Sequence, residues 1–495
     1  MGGGSIMSAS TLLILPFLIA LFASTISFTS LGRTKSVRAM LLMLSVFSAL
    51  ALLWKSLSDG IISTSVGDWL APYGIVLIVD PFAALLLVTA SVVFFCCLWD
   101  FETENTFSMP LLFLLQAGIN LSFITGDLFN LFVAFELMLM SSYALIAIHG
   151  RTSRSDNLFS YLLVNVFASF LYLIAIALFY GYTGSLNFAA LALLFQEHSG
   201  GVALLPILGI FLVMFIKSGV FPFYFWLPDT YPLLPARLAA LFAGTLSKVG
   251  IYAIFRIWLT VYSHPEPWLI NGFLVLAALT MLFGVMGAVS QGSFKAILCY
   301  HVLSQVGYIL FAMTLSTSLA VTAGILFILH NMVVKSSLLL IGGIAREYCG
   351  SDYLKKMGAL WHSRPLLGSL FLIQSLSLAG LPPFSGFWAK YMLFHEGLTL
   401  GAYAAVTVGL ITSFLTLFSM IKIWGGAFQG KAERPLSSVQ KTAYYGPIIL
   451  TLIALSMGLM AQYSVALSQI AANTLLDRDA YITAGLKVGA KGEKL

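Results

Sequence analysis

The chain has 495 residues, 60% of them hydrophobic and only 9% charged, with a mean hydropathy of +0.97. A soluble domain keeps about a quarter of its residues charged, so this composition excludes an ordinary soluble fold and implies a membrane protein. The formal charge of +6 is spread through short loops, without the concentrated basic face that nucleic-acid binding requires.

In chain order, residues 1–6 (Met-Gly-Gly-Gly-Ser-Ile) read as a vector-derived scar ahead of Met7 and are set aside. No cleavable signal peptide follows, and the stretch from Thr11 to Phe28 is long enough to remain as a first span. A bilayer core needs about 20 apolar residues per helix. Runs of that kind fall at roughly 9–29, 37–56, 75–98, 108–125, 127–148, 158–182, 204–225, 233–256, 268–290, 294–314, 318–342, 366–395, 402–425 and 443–469. The fold class is therefore an all-α polytopic membrane protein with about 14 transmembrane helices. Leu186–Phe195 is too short to cross and is placed at the interface.

Loop charges give an orientation. Arg33, Lys35 and Arg38 follow span 1, Arg151 and Arg154 follow span 5, and Lys295 follows span 9. Arg346, Lys355, Lys356 and Arg364 follow span 11, and Lys431, Arg434 and Lys441 follow span 13. Loops 57–74, 183–203, 257–267 and 396–401 contain neither Lys nor Arg. By the positive-inside rule the basic loops are cytoplasmic and both termini face outward. Asp100, Glu102 and Glu104 run against this pattern, but acidic residues weigh little in the rule.

Five charged residues fall well inside spans: Glu136, Lys217, Lys248, Lys335 and Lys390. A mid-helix lysine costs roughly 2.5–3.5 kcal/mol on insertion scales, so these side chains must face the bundle interior, be paired or be hydrated. Arg256 and Lys422 lie nearer span ends, where snorkelling avoids that cost, and they receive no role. Structural ion pairs are one reading of the five. A proton or cation relay is the other, favoured because four cations and one carboxylate cannot all pair. An unpaired lysine in a low dielectric exchanges protons near neutrality, as a relay requires.

Spans 7 and 12 carry breaking residues beside a lysine. Span 7 holds Lys217, Gly219 and Pro222, and span 12 holds Gly380, Pro382, Pro383, Gly386 and Lys390. Broken helices are tolerated in a membrane only where they line protein or water. Breaks in corresponding places mark inverted repeats, here two five-helix units, spans 4–8 and 9–13. The domain organisation is then an N-terminal three-helix segment (7–106), a first repeat (107–256), a second repeat (268–425), and a last helix with a tail (426–495), each repeat forming one proton half-channel.

His330 lies mid-span, five residues before Lys335, which sets the two about 140° apart on an ideal helix unless a π-bulge aligns them. A lone intramembrane histidine is often a hydrogen-bonded packing residue. Both readings stay open for His301, and a relay role is favoured for His330 because a lysine is close by. Paired haem ligation is a further alternative without other support. Cys96, Cys97, Cys299 and Cys349 have no metal-ligand spacing and no disulfide framework. No phosphate loop and no nucleophile–base set is present, so the expectation is no metal, no cofactor and no enzymatic activity in this chain by itself.

Several motifs together resemble a known family. They are Gly126-Asp127 through Asn130 to Glu136, Phe223-Tyr-Phe-Trp-Leu-Pro228, Ser247-Lys248-Val-Gly-Ile-Tyr252, Tyr300-His301 through Gln305 to Tyr308, and Ser377-Leu-Ala-Gly-Leu-Pro-Pro383. They resemble the proton-translocating family shared by complex I and Mrp antiporters. Gly67–Ile75, Val334-Lys335, lysine at 390 and the chain length are similar to its Mrp-type D subunits. The resemblance implies a proton relay in which Glu136 pairs with Lys217, Lys248 passes the proton inward, His330 and Lys335 continue the path, and Lys390 ends it. It also implies a bacterial cytoplasmic membrane and partners corresponding to Mrp subunits A, B, C, E, F and G. Asn331 departs from the family pattern, in which a second histidine often follows the first. With one central carboxylate, sodium is expected to cross on a neighbouring subunit while this chain handles protons. A pumping subunit of a complex I-like or membrane-bound hydrogenase complex is the alternative.

The orientation is directly testable. A reporter after Arg151 or Lys355 should read cytoplasm, and one after Gly200 or Leu400 the outside. Consistent reversal at all four sites would overturn the topology.

Overall fold

The computed structural model describes residues 9–69, 71–102, 105–149, 155–197, 204–262, 265–431 and 435–486. The apolar runs fold as helices, because in lipid a helix satisfies every backbone polar group within its own segment. Ten described helices are long and apolar enough to cross a membrane, and five apolar ones are shorter. The order is α1 (Ala9–Ile26), α2 (Lys35–Asp59), β1 (Ile62–Ser65), β2 (Val76–Val79), α3 (Pro81–Leu98), α4 (Ser108–Ile124), α5 (Leu128–His149), α6 (Ser155–Thr183) and α7 (Phe188–Glu197). Then come α8 (Leu204–Ser218), α9 (Trp226–Thr230), α10 (Ala236–Val261), α11 (Pro267–Ser290), α12 (Phe294–Leu315) and α13 (Ser318–Cys349). The chain continues with α14 (Pro365–Ala379), α15 (Ser385–Thr399), α16 (Tyr403–Phe428), α17 (Tyr445–Leu459), α18 (Ala461–Leu476) and α19 (Arg478–Leu486). Residues 1–6, Arg151, Arg154, Glu104, Gly200 and Arg434 lie outside the described residues.

Three expectations need correction. The third apolar run does not begin as helix: Val76–Val79 is a strand paired antiparallel with Ile62–Ser65, and the helix starts at Pro81, where Asp80 caps it by accepting from Ala83 N at 2.9 Å. An apolar run of this length looks the same whether it begins as strand or helix. The last run is longer than 443–469 and is bent. It comprises α17 and α18 with Met460 out of helical geometry between them, and Ser464 Oγ donates to the freed Met457 carbonyl at 2.9 Å. This bend rests on the break between α14 and α15, since a side chain at Gly458 would meet Ser385 N at 2.6 Å. Lastly, Arg256 does not snorkel. It is 1% exposed and pairs at 2.8 Å with Asp80, itself fully buried, while its guanidinium stacks on the rings of Tyr252 and Tyr481. Lys422 does reach a helix end, donating to the carbonyls of Val289 and Gln291.

The basic loops collect on one face. Arg38 donates to the carbonyls of Trp99 and Phe101, Lys295 to those of Pro232 and Leu234, and Arg346 lies 3.7 Å from Asp352. Two of the acidic residues that ran against the charge rule are neutralised there, Asp100 by Arg237 and Glu102 by Lys35. The β1–β2 hairpin and α19 share the opposite face, where Ser63 Oγ donates to Ala484 O at 2.6 Å.

An internal correspondence links the two halves. Ahead of α5, Leu128 N donates to Leu186 O and Phe188 N to Gly126 O; ahead of α12, Phe294 N donates to Asp352 O and Leu354 N to Gly292 O. The first set is on the hairpin face, joined to it by Gly126 N on Val76 O, and the second is on the basic face. The same connection thus recurs on opposite faces, as an inverted duplication requires. Outward-facing Phe47, Phe167, Phe170 and Phe414 form part of the apolar exterior.

The Asp80–Arg256 pair supports a direct stability test. Asp80→Ala leaves a buried guanidinium uncompensated, a loss of about 3–5 kcal/mol. Assembled protein on a native gel should fall sharply, and Asp80→Leu with Arg256→Met should recover much of it. Normal accumulation of Asp80→Ala would show that the pair contributes nothing to stability.

Candidate functional site

Three of the four intramembrane lysines, Lys217, Lys248 and Lys390, are held by a hydroxyl or by carbonyls at an interruption of helical hydrogen bonding; Lys335 is not. Lys217 ends α8 just before the chain turns at Gly219, whose φ of +75° favours glycine. Its side chain is 5% exposed, with Nζ donating to Ser169 Oγ of α6 at 3.3 Å and lying 5.0 Å from the Phe135 ring centroid. Ser169 Oγ in turn donates to Glu136 Oε1 of α5. The expected pairing of Glu136 with Lys217 is therefore indirect: no ion pair within 4.0 Å joins them, and a serine hydroxyl stands between.

Lys248 lies in α10 just after a π-helical segment, Phe242–Leu246. Its Nζ donates to Ala243 O at 2.7 Å and Ser247 Oγ at 3.2 Å. A π segment shifts carbonyls out of the regular ladder, leaving an acceptor for the ammonium. The same segment packs on α13, where Ser336 Oγ donates to Ala240 O at 3.1 Å, one residue from Lys335.

Lys390 lies in α15, beyond the break in span 12. Its Nζ donates to Leu378 O at 3.2 Å and Ala379 O at 2.9 Å, the last carbonyls of α14, and lies 4.9 Å from the Tyr308 ring centroid. These carbonyls form the negative end of a half-helix, which favours a cation. Gly380 has a φ of +87°, and a Cβ there would meet Lys390 Cδ at 2.7 Å, so the break and the lysine fit each other.

His330 and Lys335 sit on α13, which is continuous α-helix through both, so no π-bulge aligns them. His330 Nδ1 bonds Ser385 Oγ at 2.8 Å, and Ser385 bonds Ser377 at 3.0 Å, joining the histidine to both sides of the span 12 break. Gly386 admits that contact, since a Cβ there would lie 2.0 Å from Ser377 O and 3.0 Å from the His330 ring. Lys335 is fully buried, and its Nζ has no hydrogen-bond partner among the described residues. His301 has partners on both ring nitrogens, Ser419 Oγ at 2.5 Å and Ser304 Oγ at 3.5 Å, the second at the limit of a hydrogen bond. Asn331 turns onto its own helix, donating to Phe327 O at 2.7 Å.

The elements thus bring Glu136 and Lys217 together through Ser169, and His330 to the break near Lys390, while His301 bonds Ser419 of α16. Among the described residues no group of three or more His, Cys, Asp or Glu side chains could hold a metal. Sequence reading gave no role to Ser169, Ser377 or Ser385, although Ser377 opens one of the motifs. Ser385 follows Pro-Pro-Phe at a helix start and could have been found from that punctuation; Ser169, inside an unbroken apolar span, had no signal.

Residues 125–416 match the model of the family described as NADH:quinone oxidoreductase/Mrp antiporter, TM. The chain belongs to this family. It is 42% identical over 441 residues to the D subunit of the Na(+)/H(+) antiporter of Alkalihalophilus pseudofirmus, covering 87% of this chain and 89% of that protein. It is 34% identical to the protein of the same name from Bacillus subtilis, over 96% of this chain and 99% of the relative. Among solved structures, a chain of the Mrp complex from Dietzia sp. DQ12-45-1b superposes with a TM-score of 0.90 at 30% identity, covering 97% and 99% of the two chains. A chain of respiratory complex I from Thermus thermophilus shares the fold, with a TM-score of 0.83 at 22% identity over 94% and 99%. The family match spans the Glu136, Lys217, Lys248, His330, Lys335 and Lys390 positions described above.

Proposed function

We propose that this chain is the proton-translocating subunit of a multi-subunit Mrp-type sodium/proton antiporter, a transporter subunit rather than an enzyme. The observation that carries the reading is the set of buried cations, each except Lys335 held by oxygens that broken helices or a serine hydroxyl supply. Glu136, Lys217, Lys248, Lys335, His330 and Lys390 are the relay. The two inverted repeats are its half-channels, and the breaks after Lys217 and before Lys390 are where hydration gates each half. Glu136 favours the charged form of Lys217, and screening that carboxylate sends the proton onward to Lys248. The complex sits in the bacterial cytoplasmic membrane with the basic face inward and both termini outside. Its partners are the subunits A, B, C, E, F and G of such an antiporter, and sodium crosses on one of them. The alternative of a redox-driven pump has less support, because the relatives at 42% and 34% identity are both antiporter subunits.

Glu136 and Lys217 test the reading. Either Glu136→Ala or Lys217→Ala should abolish sodium/proton exchange in everted vesicles while the complex assembles near normally. A purely structural role would instead cost about 3–5 kcal/mol for each orphaned partner, so protein level would collapse first. The double variant should restore any lost stability without restoring transport. Wild-type exchange in either single variant, or transport regained by the double, would remove the two residues from the mechanism.

A further inference from the structure

Ser169 is placed unlike the helix serines Ser122 and Ser141. A serine within a helix commonly returns its proton to the carbonyl four residues back. Ser122 does so with Gly118 O and Ser141 with Leu137 O, both at 2.8 Å. Ser169, 8% exposed, instead turns inward from between the outward-facing Phe167 and Phe170 and donates to Glu136 Oε1. Its oxygen then accepts from Lys217 Nζ at 3.3 Å. A serine has one proton to give, and here both roles are assigned: an ammonium has no lone pair to accept with, and an ionised carboxylate has no proton to donate. The hydroxyl is thus oriented from cation to anion, across a separation that no direct contact spans.

We infer that the Ser169 hydroxyl is the proton bridge between Lys217 and Glu136, rather than a packing residue beside them. The inference rests on the relay reading and adds a step to it. An N–H bond of the Lys217 ammonium breaks as an O–H bond forms on Ser169 Oγ. Together with this, the hydroxyl's original O–H bond breaks and a bond to Glu136 Oε1 forms. The products are a neutral amine, a neutral carboxylic acid and an unchanged hydroxyl, so atoms and charge balance without a further reactant. The charged pair becomes a neutral pair, which frees Lys217 to take up another proton and leaves one on Glu136. The reverse transfer runs through the same oxygen. Ser169 is the group through which the carboxylate and the ammonium act on each other.

The test uses the whole complex in everted vesicles with three substitutions at this position. Ser169→Ala removes the bridge, and the near-isosteric Ser169→Cys replaces it with a weak donor and acceptor while preserving packing. Ser169→Thr keeps a hydroxyl. Assembly on a native gel should be near normal for Cys and Thr. Sodium-driven proton flux should fall by about a hundredfold in Ala and Cys, the scale of losing a positioned proton-transfer group, and recover well above both in Thr. Wild-type flux in the Ala or Cys variant overturns the inference, and equal loss in all three shows that shape rather than the hydroxyl matters, which also overturns it. Lys217→Ala run in parallel separates the two levels. If Lys217→Ala is inactive while Ser169→Ala transports, only the bridge is wrong; if Lys217→Ala transports, the relay reading itself fails.

Discussion

The structure depends on how a positive charge is kept inside a hydrocarbon layer. A charge at mid-membrane is costly unless oxygens replace its water, and an intact helix offers little because its carbonyls already accept backbone hydrogen bonds and keep only a second lone pair each. Interrupting the helix releases them. The π segment ahead of Lys248 provides Ala243 O, and the end of α14 provides the carbonyls of residues 378 and 379 to Lys390. Where the partner is not backbone, it is a hydroxyl, as for Lys217 and Ser169. The interruptions and the lysines are therefore two sides of one arrangement, and the glycines at 219, 380 and 386 give the backbone the conformation or closeness it needs.

The same rule sets Arg256 apart from the lysines. Arg256 is as deeply buried as the lysines, yet it faces Asp80 directly at 2.8 Å and lies between the aromatic rings of Tyr252 and Tyr481. A guanidinium does not give up its proton, so a matched pair of this kind holds helices together. Its two partners are the residue that caps α3 and a residue of α10, so it fastens these two helices together. Lys217, Lys248 and Lys390 touch no carboxylate directly and sit on neutral oxygens, an arrangement suited to passing a proton on.

Much of this was legible in the sequence, for physical reasons that differ by feature. Hydropathy located the helices because lipid enforces one backbone solution, and clustered Gly and Pro marked the breaks at spans 7 and 12 because together these residues weaken a helix. Lysines inside apolar runs stood out against the cost of burying them. The start of span 3 was missed because a short apolar strand and a helix end share one composition. The bend at Met460 carries no Pro, and the Gly458 beside it matters for its close packing on the span 12 break, which the sequence does not show. Pairings between distant segments, Asp80 with Arg256 and Ser169 with Glu136, exist only once the helices are side by side. The bearing of Arg256 was misjudged for the same reason, since nearness to a span end in sequence does not reveal a carboxylate waiting there.

The central claim is that the buried lysines carry protons and do more than supply positive charge. Lysine and arginine share the charge, but arginine cannot release its proton in a protein. Lys248→Arg and Lys390→Arg, each made in the complete complex, therefore separate the two roles. Proton flux driven by a sodium gradient in everted vesicles is the quantity to measure, normalised to assembled complex. The account expects flux to be lost in both variants while assembly is retained. Wild-type flux with arginine at either position would contradict it.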